Sequence, residues 1–589
     1  MNFCEPFVRR PVMTVLVMAG ILIFGLAAYR LLPVSTLPNV DFPTIQVTAE
    51  VPGASPETMA SAVATVLERQ FSTIAGIDEM TSVSGQGVTR VTIQFALDRD
   101  IDAAAQDVNS AIASAARQLP ATMAAPPSFR KVNPADFPIY YLALTSSALP
   151  LSTVNEYAET YLAQRISTIN GVAQVQVFGQ QKYAVRVQVD PNALAARGVG
   201  INEVEQAVAQ ANVNLPTGTL YGKDRMFAVQ ATGQLQDAQA FRPIIVTYRN
   251  GSPIRLQELG RIVDGVQNDK VAAWFKGKRG IVLAIQRQPG TNTIEVVNSI
   301  KSLLPTFRAE VPPAIDIETL FDRSVTIRAS VGEVQFTLYL ALALVVMVIF
   351  LFLRNIPATL IPSVALPMSI IGTFAVMYLF NYSLDNISLM ALTLCVGFVV
   401  DDAIVMLENI TRHIEQGKSV LQATLDGSRE IVFTIISMTI SLAAVFIPVL
   451  FMGGILGRLL HEFAVTIIAA VLISGFVSLT LTPMMCSRIL KPHRADLRHG
   501  RLYLAFERLF DAARNGYDAS LTRALRHRRA VLLIFLGVCV LTGVLFARAP
   551  KGFLPSEDAG QIFCFVEGPQ DISFDAMVGL QRQVAEIVR

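Results

Sequence analysis

Charge is scarce in this chain. Of 589 residues 16% are Asp, Glu, Lys or Arg, against about 25% in an ordinary soluble domain, while 52% are hydrophobic. With a mean hydropathy of +0.47, that shortage excludes a soluble enzyme of ordinary composition. An excess of one sign is missing too. The 48 Lys and Arg stand against 46 Asp and Glu, so no basic field points to nucleic acid and no acidic excess points to disorder. Cysteine is rare: Cys4, Cys395, Cys486, Cys539 and Cys564 lie too far apart for a zinc knuckle or a CxxC redox pair. None falls between positions 33 and 329, so that stretch is not a disulfide scaffold. The Gly85-x-Gly87 pair lacks P-loop or dinucleotide context and reads as a strand-to-strand turn, which leaves ATP without a binding motif. No catalytic residue, cofactor or metal site is expected.

What the chain has in quantity is apolar sequence. Seven runs, 11–29, 334–353, 360–380, 389–408, 431–452, 463–486 and 530–547, each approach the roughly 20 residues that span a hydrocarbon core. Arg9 and Arg10 precede the first run as they would in a signal peptide, but no small-residue cleavage pattern follows, so the run reads as a retained anchor. Basic residues flank alternate loops: Arg9 and Arg10, Arg354, then Arg412, Lys418 and Arg429, then the stretch from Arg488 to Arg529 with Lys491, Arg494, Arg498 and Arg501. The loop 381–386 has none and 453–462 has only Arg458. The positive-inside bias therefore puts the amino terminus in the cytoplasm and the long polar stretch after the first run outside it. Residues 502–524 suit an amphipathic helix on the cytoplasmic surface.

Within the polar stretch, 44–51 alternates as a strand, Ser55 and Pro56 start a helix, 88–97 alternates again and 100–119 is an alanine-rich amphipathic helix. The strand, helix, strand, strand, helix, strand order recurs over 137–187 and resumes over 274–319, which predicts split βαβ sandwiches of the ferredoxin-like type. A turn-rich piece, 212–233, with a strand over 225–232, reads as a projecting hairpin. An internal repeat governs the whole. Leu37-Pro38, Asp41, Ile45, Glu50 and Pro52 reappear as Leu554-Pro555, Asp558, Ile562, Glu567 and Pro569, at a constant offset of 517 residues. Twice that offset gives a complete protein of roughly 1,030 residues, with two parallel repeats, so the product is expected to continue past Arg589.

The chemistry lies in the fourth run. Asp401 and Asp402 stand side by side with apolar sequence on both sides. An ionisable residue at membrane depth costs at least about 2.5 to 3.5 kcal/mol and marks a functional site, here proton or cation coupling. Neighbours on a helix point about 100° apart, so the two cannot form one symmetrical clamp and each must address a different partner. No Lys or Arg lies inside any of the seven runs, so the pair needs protons or a cation from elsewhere. Glu408, nearer the cytoplasmic interface, reads as an i, i+4 partner of Arg412. Pro362, Pro367 and Pro448 either kink helices or mark their ends.

A long domain after the first helix, an Asp-Asp pair in the fourth and a half-chain duplication together resemble the resistance-nodulation-cell division (RND) transporters. The segments Gly53-Ala-Ser-Pro-Glu-Thr-Met59, Phe398-Val-Val-Asp-Asp-Ala-Ile-Val-Met-Leu-Glu-Asn409 and Leu479-Thr-Leu-Thr-Pro-Met-Met-Cys486 are similar to the multidrug branch, in particular to the Mdt-type subunits of mixed trimers. The resemblance covers the whole chain and the amino-terminal half of the family's architecture. It implies a membrane α-helical bundle, seven helices here, with a large α+β periplasmic domain of ferredoxin-like βαββαβ subdomains. Residues 1–32 would be the cytoplasmic amino terminus and first helix, 33–333 the porter and docking domain with the docking part at about 182–272, and 334–487 helices two to six. Residues 488–529 would be an amphipathic connector, 530–548 helix seven, and 549–589 the start of the second periplasmic domain.

The resemblance further implies a proton/drug antiporter of the bacterial inner membrane, a homotrimer or a heterotrimer with a sibling subunit. It would work with a periplasmic adaptor and an outer-membrane channel, act on amphiphilic small molecules and bind no nucleic acid. In that family a lysine of the second half contacts the aspartate pair. Phe137, Phe178 and Phe321 fall where the family lines its drug pocket, with Tyr140 a nearby candidate. Two other readings stand beside this one. Heavy-metal export would want thioether and thiolate ligands, and the strand-rich stretch has only the widely spaced Met59, Met80, Met123 and Met226. The other alternative is a truncated, non-transporting membrane subunit.

Overall fold

The computed structural model describes residues 3–588 except 36–37, 39–41, 124, 134–136, 214–217, 230–232, 354, 492–500, 551–561, 563 and 570, and only the backbone of 501–510. Arg354, five of the twelve repeat residues and Arg494 to Arg501 of the connector thus lie wholly or partly outside the description. After helix α1 (Pro11–Leu31) comes β1 (Thr44–Glu50). Ser55 then caps α2, built of Pro56–Met59, a π turn Ala60–Ala64 and Thr65–Phe71, by accepting from the Thr58 amide at 3.2 Å. Strands β2 (Ile77–Gly85) and β3 (Val88–Phe95) join through the Gly85-Gln86-Gly87 turn, Asp100 caps α3 (Ile101–Ala115), and β4 (Ser128–Val132) completes an antiparallel sheet of order β2-β3-β1-β4. Alternation along β1 and β3 sends Ile45, Val47, Val91 and Ile93 to one face, where α2 and α3 cover them.

A second unit of the same order follows. It uses β5 (Tyr140–Ser146), α4 (Leu151–Glu156, the π turn Tyr157–Ala163 and Gln164–Ser167) and β6 (Val172–Phe178). The chain then leaves this sheet. Strand β7 (Tyr183–Val189), which the sequence pattern assigned to the sandwich as far as Val187, instead pairs along its whole length with β12 (Gly260–Val266). Between them lie α5 (Pro191–Arg197), α6 (Ile201–Ala211), the hairpin β8 (Thr219–Tyr221) and β9 (Met226–Ala228), and the hairpin β10 (Ile245–Arg249) and β11 (Ser252–Arg255). This insertion has its own core around Val204, Phe241, Leu256 and Ile262. The expected strand 225–232 shrinks to β9, with 230–232 outside the description. The sandwich resumes with β13 (Ala273–Phe275), β14 (Lys278–Arg287), α7 (Thr293–Glu310) and β15 (Ile315–Asp322), giving the sheet order β6-β14-β5-β15 with β13 on the end of β14.

Strand β15 runs into helix α8 (Arg323–Leu353) without a loop. Helices α9 (Ile356–Leu379), α10 (Asn386–Glu415), α11 (Val420–Leu450) and α12 (Gly454–Ile489) follow. Their ends extend beyond the apolar runs because a helix does not stop where hydrocarbon does. Pro362 and Pro367 lie inside α9, and Pro448 inside α11. Helix α12 is central, with 72% of its apolar window buried against 11% for α8. Leu366, Phe374, Leu392, Val396, Ile467 and Val471 pack the bundle core. Helices α1 and α9 touch backbone to backbone at Gly25, where a Cβ would lie 2.1 Å from the Ile371 carbonyl oxygen. At one end of the bundle the α9–α10 loop pairs with the strand domain through a Val34–Leu384 bridge, and Arg458 of α12 donates to the Leu97 carbonyl. The two loops poorest in basic residues therefore sit beside the strand domain.

A second compact unit comprises 408–427 and 486–589. It contains α13 (Arg501–Arg526), α14 (Arg528–Arg548) and α15 (Phe574–Val588). Counting α14, seven helices among the described residues are long and apolar enough to cross a membrane.

Candidate functional site

Asp401 and Asp402 stand mid-way along α10, and the 100° between them separates their surroundings. Asp402 turns inward and is 2% exposed. Its Oδ2 accepts from Thr439 Oγ1 of α11 at 3.4 Å, a long contact, since that hydroxyl lies nearer, at 2.8 Å, to the Ile435 carbonyl. Asp402 Oδ1 is buried without a hydrogen-bond partner among the described residues. Asp401 turns outward to an apolar cleft of about 500 Å³ between α10 and α11, beside Phe398, Ile404, Met438 and Leu442. Neither carboxylate forms an ion pair among the described residues.

Helix α12 completes the surroundings. Ser474 Oγ donates to the Val399 carbonyl at 2.7 Å, one turn before the pair. Next to it a Cβ on Gly475 would sit 2.7 Å from Thr439 Oγ1, so the glycine lets α12 press against the residue that touches Asp402. Sequence reading missed Thr439, Ser474 and Gly475. Their signal, small polar residues inside apolar runs, is common in membrane helices and names no partner. Glu408 and Arg412 are both exposed, and an i, i+4 pair between two such solvated side chains contributes only about 0.2 to 0.5 kcal/mol.

The aromatic candidates divide between two faces of the second sheet. Tyr140 is fully buried on the face that α4 and α7 cover, with Oη 2.6 Å from Thr319 Oγ1. Phe178 pairs with Val282 and Phe321 with Tyr141, so both belong to the opposite, open face. Phe178 is exposed, while Phe321 is half-buried with its ring centroid 6.1 Å from that of Tyr141. They lie on outer strands of the four, roughly 14 Å apart at the usual strand spacing. Phe137, just before β5, is exposed. The residue on the open face beside Phe321 is thus Tyr141, which alternation in β5 separates from Tyr140.

A bundle of apolar helices around uncompensated carboxylates, with a strand domain on one end, is the construction of a membrane transporter. The chain belongs to the AcrB/AcrD/AcrF family of RND transporters, whose sequence model matches residues 3–589. The multidrug resistance protein MdtC of Pectobacterium carotovorum subsp. carotovorum (strain PC1) is 48% identical to it over 579 residues, 98% of this chain and 56% of that protein. The chain therefore spans about half the length of this curated relative.

Proposed function

We propose that this chain forms the amino-terminal half of an inner-membrane pump subunit that exports drugs and other amphiphilic small molecules, driven by the proton-motive force. All seven apolar helices would cross the membrane, with the amino terminus cytoplasmic and the strand domain periplasmic. The two sheets of matching strand order would be ferredoxin-like porter subdomains, and the insertion bracketed by β7 and β12, about 182–272, the docking part. Trimers, homomeric or with a sibling subunit, would join a periplasmic adaptor and an outer-membrane channel.

The observation that carries this reading is the buried Oδ1 of Asp402, without a partner among the described residues, beside an Asp401 that faces an open cleft. A carboxylate so placed is stable only while a proton or a cation answers it. A lysine from the family's second repeat would answer Asp401 in one state and be released when a proton neutralises the pair. Helices α10, α11 and α12 then repack, and the porter cleft opens or closes. Each charge crossing 100 mV supplies about 2.3 kcal/mol to drive the cycle. Phe137, Phe178, Phe321 and Tyr141 would line the substrate path, while Tyr140 holds the sandwich behind it.

The test is dye efflux from energised vesicles at matched protein level. Asp401→Asn and Asp402→Asn in the full-length protein should each abolish proton-driven export while expression and assembly persist, because an amide keeps the shape but cannot titrate. Wild-type rates for both variants would refute proton coupling at this pair.

A further inference from the structure

A second pair of carboxyls lies at the end of the bundle that meets the strand domain. Asp385 precedes α10 and is fully buried; Glu462, on α12, is 9% exposed. Both converge on Ser383. Its Oγ donates to Asp385 Oδ2 at 3.0 Å, and its backbone N–H to Glu462 Oε2 at 3.4 Å. Asp385 Oδ1 accepts from the amides of Ile387 at 2.8 Å and Ser388 at 2.9 Å. Two buried carboxyls therefore share one partner residue, one through its hydroxyl and the other through its amide. Two carboxylates offer only acceptors, and both cannot stay ionised at one buried residue without a counter-cation, so the pair is stable when it holds one proton. Asp385, with three donors aimed at it, is the ionised member, which leaves Glu462 to carry the proton.

No ion pair reaches either carboxyl among the described residues. The ionisable neighbours are otherwise engaged: His461 Nδ1 is 3.1 Å from Tyr382 Oη, and Arg458, one turn back on α12, donates to the Leu97 carbonyl. From α8, Ser330 enters the network, accepting from Asn386 Nδ2 at 2.7 Å. One turn deeper along α12 from Glu462 stands Thr466, fully buried, with an Oγ1 that has no partner among the described residues. It offers a proton or a water molecule its next contact on the way toward Ser474, Thr439 and Asp402.

We propose that Asp385 and Glu462 form a second proton-binding site, which loads protons from the strand-domain side before they reach Asp402. In the resting state the pair holds one proton and one negative charge. A proton arriving from water adds to Asp385 and makes the pair neutral, and a proton leaving from Glu462 past Thr466 restores the single charge. This rests on the proton-coupling reading above, but its test does not.

In pH-difference infrared spectra of the full-length protein in liposomes, the wild type should show a protonated carboxyl band. That band should vanish in Glu462→Gln and persist in Asp401→Asn and Asp402→Asn. Glu462→Gln should also slow dye efflux and move the pH limb of its rate by about one unit, the least coupling expected of interacting carboxyls. Asp385→Asn guards against misfolding of one variant and should shift the band, because Glu462 keeps its proton but loses the charged neighbour. A band unchanged in both variants overturns the shared proton. Band loss with an unaltered efflux rate and pH profile overturns the loading role. Failure of the aspartate pair in α10 alone leaves the spectral result standing.

Discussion

At Gly475 one methyl group would close the gap to Thr439. Gly475→Ala should therefore displace the hydroxyl from Asp402 and strain the α11–α12 contact by about 1 to 3 kcal/mol, the usual cost of overpacking. The expected outcome is a lower melting temperature in detergent together with slower dye efflux; a variant with wild-type stability and transport would show that α12 does not press on Asp402 through Thr439. Glu408→Gln is the contrasting case. Exposed on α10, Glu408 should tolerate the change with efflux close to wild type. The Asp401-Asp402 pair was legible because two adjacent acids in an apolar run stand out by composition alone. Thr439 and the Asp385–Glu462 pair were not, since 37 residues separate Thr439 from Asp402 and 79 separate Ser383 from Glu462, and only helix packing joins them.

At the scale of elements, strands and helices with strong alternation or caps were readable nearly to their ends. The π turns and the departure of β7 were not, because β7 alternates like any sandwich strand and its partner β12 lies beyond an insertion of about 70 residues. The turn-rich hairpin β8–β9 leaves Leu220, Tyr221, Met226 and Phe227 all exposed. Apolar side chains left open at a hairpin tip are suited to burial against another protomer. Deleting 212–233 from the full-length protein should abolish oligomers in detergent while membrane insertion survives, and unchanged oligomerisation would count against the arm. The junction of β15 and α8 carries a pH dependence of its own. Burial works to raise the Asp322 carboxyl, but hydrogen bonds from Lys301 and Ser324 outweigh it and hold the group below its ordinary value. A depressed acid stabilises the fold above its unfolded value and loses that contribution as pH falls through the folded one. Amides at Thr319 to Ser324 should keep their hydrogen-exchange protection at neutral pH and lose it below about pH 3.9, the ordinary aspartate value, and Lys301→Met should bring the loss to higher pH.

For the whole molecule, the loopless passage from β15 into α8 would, in the proposed topology, couple two very different media. Helix α8 is a rod of 31 residues, about 46 Å long at 1.5 Å per residue, and one end of it is the sheet edge that bears Phe321. A rod has no slack. A tilt of a few degrees in the lipid would swing its far end by a few ångströms, of order the width of an aromatic ring, and Phe321 would move relative to Phe178, which hangs from a strand with no such attachment. The gap between the two rings would then act as a gauge of helix tilt, wide in one phase of the cycle and narrow in another, with no hinge residue needed to set it.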